Sequence, residues 1–189
     1  MLKKYITKQE DIKDCGSACI SSIIKYYDGY MPMEIIRQDT LTNKEETTAF
    51  YLVKALNKYG FDVDGYKIEE IEKELIVLPA IAHQILPNNL HHFVVIYKID
   101  KVKKTILLMD PASGYKTLSI EEFNKLWTNI LIIMKPRYKI PRYQKPNSLI
   151  CLFGKLFLEE KKILLKILLI SMFFMAFSIS SSFYVKLVL

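Results

Sequence analysis

Cys15, His92 and Asp110 are the residues of this chain whose types could together perform nucleophilic chemistry. A cysteine thiolate attacks a carbonyl carbon, an imidazole moves the proton, and a carboxylate orients the imidazole. Cys15 directly precedes a helical pattern, His92 opens an apolar strand pattern, and Asp110 closes the next one. These residue types predict the active site of a cysteine peptidase.

A β-hairpin is the element that could bring His92 and Asp110 together. We expect the strands on either side of the polar turn Asp100–Lys104 to pair antiparallel about a centre at Lys101. In that register His92 and Asp110 are direct partners, with Cβ atoms about 5 Å apart. A slip of one residue would break this pairing, so the register is a hypothesis.

A helix is the element that should position Cys15. Apolar residues recur at helical spacing from Ala18 to Tyr27, and the turn Asp28-Gly29 ends the pattern. Cys15 then lies in the first helical turn, where the partial positive charge of the helix N-terminus stabilises a thiolate. Cys19 lies one turn later among apolar residues, so we expect it in the core. Packing is also the expected role of Cys151.

The order of the remaining elements indicates an α+β domain. Further helices are predicted after Pro32, over Thr47–Tyr59, over Glu69–Leu75, and from the capping box of Ser119 and Glu122 to Trp127. Strands are predicted over Phe61–Lys67, Leu78–Ile85, His92–Ile99, Thr105–Met109 and Ile130–Met134. Helices that precede antiparallel strands favour one layered domain with the cysteine on the helical side.

The formal net charge of +7 is concentrated in one segment. Residues 1–134 carry 17 Lys/Arg against 18 Asp/Glu, whereas residues 135–166 carry 9 against 2. A basic segment beside an apolar run is typical of a cytoplasmic membrane flank. We therefore expect no nucleic-acid partner.

The 19 residues from Ile167 to Val185 contain no charged side chain. As a helix they would extend about 28 Å, close to the thickness of a hydrocarbon core. The segment that begins at Asn147-Ser148 has the pattern of an interfacial helix, although a surface helix of the soluble domain remains an alternative. Residues 1–13 lack an apolar signal region, so we expect the Cys15 end to stay in the cytoplasm.

Three motifs in this chain resemble one family. The segment Gln9–Cys19 resembles the opening of the bacteriocin-processing peptidases, which are papain-like domains at the N-terminus of peptidase-containing ABC exporters. His92–Val95 and Asp110–Gly114 resemble the histidine and aspartate motifs of that family, and Ser119–Trp127 resembles the segment that follows. The resemblance covers Met1 to about Lys135.

This resemblance implies a papain-like α+β fold and a role for each residue of the motifs. Cys15 would be the nucleophile, His92 the base, Asp110 the orienting acid and Gln9 the oxyanion donor. The implied function is a cysteine endopeptidase that removes the double-glycine-type leader from a bacteriocin or lantibiotic precursor, coupled to ABC-type export. The implied peptidase needs no cofactor and no metal. ATP is expected only for the exporter's ATPase domain, which this chain does not contain.

The resemblance also implies partners and a location. The expected partners are a precursor peptide with a Gly-Gly-type leader, the lipid bilayer and a second copy in a homodimer. The expected location is the bacterial cell membrane, with the peptidase domain on the cytoplasmic side.

The resemblance divides the chain into three parts. Residues 1–137 would form the peptidase domain, residues 138–162 a basic linker with the interfacial helix, and residues 163–189 the first transmembrane helix of an incomplete membrane domain. We expect a fragment or a natural truncation of such an exporter.

Two alternative functions remain at this point. One is a non-catalytic leader-docking domain of a peptide exporter, against which Cys15 in its motif argues. The other is a papain-like acyl-transfer enzyme such as a transamidase. The apolar segment and the three motifs favour the leader peptidase over both.

Overall fold

The structure is a computed structural model that describes residues 2–41, 48–72, 74–140, 142–143 and 160–188. Contacts divide the chain into two compact units, Met1–Tyr143 and Gln144–Leu189. The first unit holds the elements that carry the candidate site, and the second holds one long helix.

Four α-helices form in the described part of the first unit. They are α1 (Cys15–Tyr26), α2 (Met33–Asp39), α3 (Ala49–Lys58) and α4 (Ile120–Asn124). Short 3-10 helices at Leu2–Tyr5 and Ile12–Asp14 precede α1. The predicted start of α1 at Cys15 is confirmed. The predicted capping box is also confirmed, since Ser119 and Glu122 hydrogen-bond each other across the first turn of α4.

Two helix predictions differ from the structure. The helix predicted over Glu69–Leu75 is wrong, because the described residues there form turns and bends. The side chain of Asn129 donates to the carbonyls of Ile68 and Glu69, which holds the start of this segment in a non-helical path. Helix α4 ends at Asn124 rather than at Trp127, because Trp127 already begins the last strand.

Six strands form one antiparallel sheet. They are β1 (Phe61–Lys67), β2 (Ala80–Ile85), β3 (His91–Asp100), β4 (Thr105–Asp110), β5 (Gly114–Ser119) and β6 (Trp127–Pro136). The strand order is β1-β6-β2-β3-β4-β5, and every pairing is antiparallel. Strand β5 was not predicted, since it lies at a sheet edge and most of its side chains are at least partly exposed. The predicted α+β class is confirmed.

The sheet is packed on both faces. Phe93 and Val95 of β3 belong to a core cluster with α1 and α3. Val94 and Ile96, which alternate with them, belong to a second cluster with Ile120 and Phe123 at α4. Because successive side chains of a strand point to opposite faces, this alternation places α1 and α3 on one face and α4 on the other. Helix α1, which begins with Cys15, is thus anchored by a buried apolar layer.

The second unit contains helix α5 (Lys161–Val188), which is 28 residues long. An 18-residue window from Lys162 to Ile179 has a mean hydropathy of 2.1 and is not buried by the protein. By length and composition this helix could cross a membrane. The predicted interfacial helix and Cys151 lie outside the described residues.

Candidate active site

Cys15 is the first residue of α1, and only 5% of it is exposed. It lies near the imidazole of His92, at the start of β3, and its thiol contributes to the raised pKa of that ring. The first N–H groups of an α-helix have no partner within the helix, and they give its N-terminus a partial positive charge. The sulfur of Cys15 therefore lies between a positive helix end and a ring that can carry its proton.

The imidazole of His92 donates from Nε2 to Oδ1 of Asp110 at 2.9 Å. The donation from Nε2 leaves Nδ1 as the ring nitrogen for Cys15. His92 is almost fully buried and the Asp110 side chain is 13% exposed, so water screens this contact little. The predicted contact between the two residues is confirmed.

The predicted register of this hairpin is nevertheless wrong. Val95 pairs with Met109, and a bulge then shifts the register so that Lys98 pairs with Leu107. Extending the pairing at Val95 places His92 diagonally from Asp110 rather than opposite it. Diagonal neighbours are about 7–8 Å apart at the backbone, which long side chains can bridge. The hydrogen bond between His92 and Asp110 still forms because the two side chains span this diagonal distance.

Asp110 is held by three further donors. The backbone N–H of Ala112 donates to Oδ1 at 2.8 Å, while the Ser113 hydroxyl and the Lys116 ammonium donate to Oδ2 at 2.7 and 2.9 Å. Burial alone raises the pKa of Asp110, but hydrogen bonds from His92, Lys116 and Ser113 outweigh it and hold the pKa well below its usual range. This carboxylate is therefore ionised at neutral pH.

The pKa of His92 is raised to about 9. Burial by itself lowers the pKa, but the hydrogen bonds to Asp110 and then to Cys15 raise it by more. An imidazolium near neutral pH is the form that can protonate a leaving amine.

Gln9 lies beside the turn that follows Asp110. Its backbone N–H donates to the carbonyl of Pro111 at 3.0 Å. Its side-chain Oε1 is buried without a hydrogen-bond partner among the described residues. A side-chain amide beside the turn that follows Asp110 is the type of group that can donate to an oxyanion.

Cys19 does not belong to the reacting groups. Its thiol is fully buried and donates to the carbonyl of Phe93 at 3.3 Å. Burial, followed by the neighbouring Cys15 and Asp110, raises the pKa of Cys19 well above its ordinary value. The predicted core position is confirmed, and the neutral thiol ties α1 to β3.

A chain of hydrogen-bonded histidines beside the site could not be predicted from the sequence. His83 Nδ1 lies 2.7 Å from the Thr128 hydroxyl, and its Nε2 lies 3.0 Å from Nδ1 of His91. The Thr128 hydroxyl donates to the carbonyl of His83 at 3.1 Å, so it accepts from Nδ1 of the same ring. Nδ1 of His91 therefore donates to Nε2 of His83. This hydrogen bond holds the ring of the residue that precedes His92. Only the pairing of β2 with β3 and β6 reveals these contacts.

Arg37 is a second residue that sequence reasoning missed. Its guanidinium forms a two-point contact with the carboxylate of Asp14, the residue before Cys15. A lone arginine in a short helix carries no local signal of such a contact, which requires α2 to pack beside α1.

Residues 3–139 match a family described as the Peptidase C39 family. The chain belongs to the Peptidase C39 family. It is 36% identical over 185 residues to the lactococcin-G-processing and transport ATP-binding protein LagD of Lactococcus lactis subsp. lactis. That match covers 96% of this chain and 24% of the relative. The pediocin PA-1 transport/processing ATP-binding protein PedD of Pediococcus acidilactici is 27% identical, with 98% of this chain and 26% of the relative covered. The C39 chain thus spans about a quarter of the length of these curated relatives.

Solved C39 structures share the fold. The crystal structure of a double glycine motif protease from an AMS/PCAT transporter, in complex with the leader peptide, matches with a TM-score of 0.63 and 31% identity over 69% of this chain and 90% of that one. The peptidase domain of Streptococcus ComA matches with a TM-score of 0.64 and 29% identity over 69% of this chain and 96% of that one. The predicted family and papain-like peptidase fold are confirmed.

Proposed function

We propose that this C39 chain is a cysteine endopeptidase that removes a double-glycine-type leader from a bacteriocin precursor, coupled to ABC-type export. The observation that carries the proposal is the chain of contacts from Cys15 through His92 to Asp110. The relatives named for processing and transport, and the related protease that binds a leader peptide, support the substrate class.

In this proposal the thiolate of Cys15 attacks the carbonyl carbon of the second glycine. A C–S bond forms, and the C–N bond breaks as Nδ1 of His92 gives its proton to the leaving amine. The neutral imidazole then takes a proton from water, a C–O bond forms, and the C–S bond breaks. Asp110 keeps the ring oriented and stabilises its charged form throughout.

The oxyanion of each tetrahedral intermediate needs donors. We assign this role to the side-chain amide of Gln9 and to the backbone N–H of Cys15 at the N-terminus of α1. Glycine at the cleavage point has no side chain, so a narrow slot beside the buried thiol would admit it and reject larger residues.

The remaining parts of the proposal concern the surroundings of the domain. Helix α5 would lie in the bacterial cell membrane, with the peptidase on the cytoplasmic side beside the basic residues 135–166. Proteolysis would need no cofactor, and ATP would serve the ATPase domain of the exporter. The exporter would act as a homodimer.

Cleavage of a peptide substrate tests the proposal. Residues Met1–Tyr143 form a compact unit, and we expect this unit to cut a precursor peptide after a Gly-Gly leader end. Cys15→Ala should abolish cleavage because the nucleophile is lost. Cys19→Ala is the matched control. It removes a thiol that lies one turn later in the same helix, and we expect the variant to cleave the peptide.

Two results would contradict the peptidase. Binding of the peptide without cleavage by the unmutated domain would favour a leader-docking function. Cleavage that persists in Cys15→Ala would show that another group attacks. Mass spectrometry of the reaction mixture shows whether the peptide is cut and, where it is, which bond is cleaved.

A further inference from the structure

Asp14 occupies the N-cap position of α1 but does not cap the helix. Aspartate at this position ordinarily accepts hydrogen bonds from the N–H groups of the first turn. Here its side chain makes no such bond. The carboxylate instead accepts from the backbone N–H of Asp11 at 3.2 Å, as its half of a capping box at the preceding 3-10 helix.

Arg37 of α2 holds the carboxylate in this position. Its Nε donates to Oδ1 of Asp14 at 3.0 Å, and its Nη2 donates to Oδ2 at 2.7 Å. Asp14 is nearly fully buried, and the Arg37 side chain is 17% exposed, so the two-point contact is shielded from water. Nη2 also donates to Glu10 at 2.6 Å. One guanidinium therefore binds both ends of the segment between Gln9 and Cys15.

This arrangement changes the electrostatics beside the nucleophile. A carboxylate at the N-cap competes with any other anion for the N–H groups and the partial positive charge of the helix end. With Asp14 bound to Arg37 and to the Asp11 N–H, its carboxylate does not compete for these groups with the Cys15 sulfur or an oxyanion. The guanidinium also balances the negative charge that stands next to the thiol. The contact with Glu10 fixes the residue that follows Gln9.

We propose that Arg37 is a positioning residue of the oxyanion site, which draws the Asp14 carboxylate off the N-terminus of α1 and anchors the Gln9 segment. This role rests on the proposed peptidase function. Arg37 touches neither substrate nor sulfur, and it acts through Asp14 and Glu10.

Three variants of the full chain, purified in detergent, test this role. Arg37→Lys keeps the positive charge but loses the planar fork. Arg37→Gln loses the charge and releases Asp14. The double variant Arg37→Gln with Asp14→Asn removes the carboxylate charge as well. Arg137→Lys is the matched control, because Arg137 contacts Asn57 and Asp62 rather than Asp14.

Two readouts are measured for each variant. The first is the rate of Cys15 alkylation by iodoacetamide at pH 7, followed at that residue by peptide mass spectrometry. Arg37→Gln should slow it about tenfold, and the double variant should regain most of the rate, because the uncompensated charge is gone. The second is cleavage of a Gly-Gly leader peptide. Arg37→Gln should lower kcat about 10- to 100-fold with KM nearly unchanged, since an oxyanion contact forms only in the transition state.

A purely structural Arg37 predicts a different outcome. The melting temperature would fall while alkylation, kcat and KM of the folded protein stay as in the Arg137→Lys control, and that result would overturn the proposal. Where Arg37→Gln does not fold, Arg37→Lys decides through cleavage, because it loses the fork that holds Asp14 and Glu10 together. A lower kcat with KM nearly unchanged supports the role, and kcat and KM equal to those of Arg137→Lys refute it. Alkylation needs no peptide, so a chain that fails to cut Gly-Gly peptides but shows the alkylation pattern would refute the peptidase and leave the positioning role standing.

Discussion

Replacing Asp110 by asparagine removes the negative charge of this side chain but keeps its shape. Asparagine keeps an oxygen that can accept from Nε2 of His92 at the same place, but it carries no charge. Because papain-like enzymes can use asparagine at the orienting position, the variant should retain part of its activity. The pH dependence of this activity should change. Asp110→Ala should lose both the hydrogen bond that orients His92 and the negative charge beside it.

The magnitude follows from the pKa of His92, which is about 9 against an ordinary value of 6.5. This difference corresponds to about 3 kcal/mol in favour of the imidazolium. The hydrogen bond to Asp110 is the largest contribution that raises the pKa, ahead of the contact with Cys15. We therefore expect Asp110→Asn to lower the pKa of His92 by at least about one unit.

The assay is kcat/KM for a Gly-Gly leader peptide between about pH 5 and pH 10. The unmutated domain should lose activity as the pH rises through about 9, because the leaving amine then lacks its proton donor. In Asp110→Asn this loss should begin about one pH unit lower or more. Asp100→Asn is the matched control, since Asp100 lies at the far end of the same hairpin and its side chain accepts from the backbone of Lys103.

Stability gives an independent measurement. Because the folded pKa of His92 is raised, its contribution to the free energy of unfolding is complete below about pH 6.5 and is lost as the pH rises through about 9. Urea unfolding should show this loss in the unmutated domain and a smaller loss in Asp110→Asn. Two results together would refute Asp110 as the cause of the raised pKa of His92. In Asp110→Asn, kcat/KM would still be lost near pH 9, and the pH dependence of unfolding would be the same as in the unmutated domain.

Two further predictions concern catalysis and folding. Gln9→Ala should lower kcat about 10²- to 10³-fold with little change in KM, which steady-state kinetics would show, and a change confined to KM would contradict the oxyanion role. Gly60→Ala should destabilise the domain by about 1–2 kcal/mol in urea unfolding. Gly60 has a φ of +94°, and an added Cβ would lie 2.7 Å from the ring of Tyr138. Gly65→Ala is its control, because a Cβ there meets nothing within 4 Å. Equal stability of the two variants would contradict this reasoning.

Features with local determinants could be predicted from the sequence. Apolar spacing and the turn after Tyr27 place Cys15 at a helix start, and the capping box of Ser119 and Glu122 forms as expected. The glycine after α3 adopts the positive φ of a helix stop. Such features depend on interactions within a few residues, so the chain specifies them without the rest of the fold.

Features of the sheet were harder to predict. The register between β3 and β4 depends on a bulge, and β5 is an edge strand that pairs with β4 although its own pattern is weak. A strand is stabilised by its neighbours as much as by its own residues, so an isolated segment does not reveal its register or its existence. The contact of His92 with Asp110 was predicted correctly from a wrong register.

The sequence alone determined which groups this protein offers for chemistry: a thiol at a helix start, an imidazole and a carboxylate in motif order, and an apolar segment of membrane-spanning length. Only the tertiary structure decided how these groups are tuned. The two-point contact of Arg37 with Asp14, the ring of donors around Asp110 and the histidine chain behind His92 join residues far apart in the chain. Burial strengthens the contact of Arg37 with Asp14 by excluding water, and that burial exists only once α2 has packed beside α1.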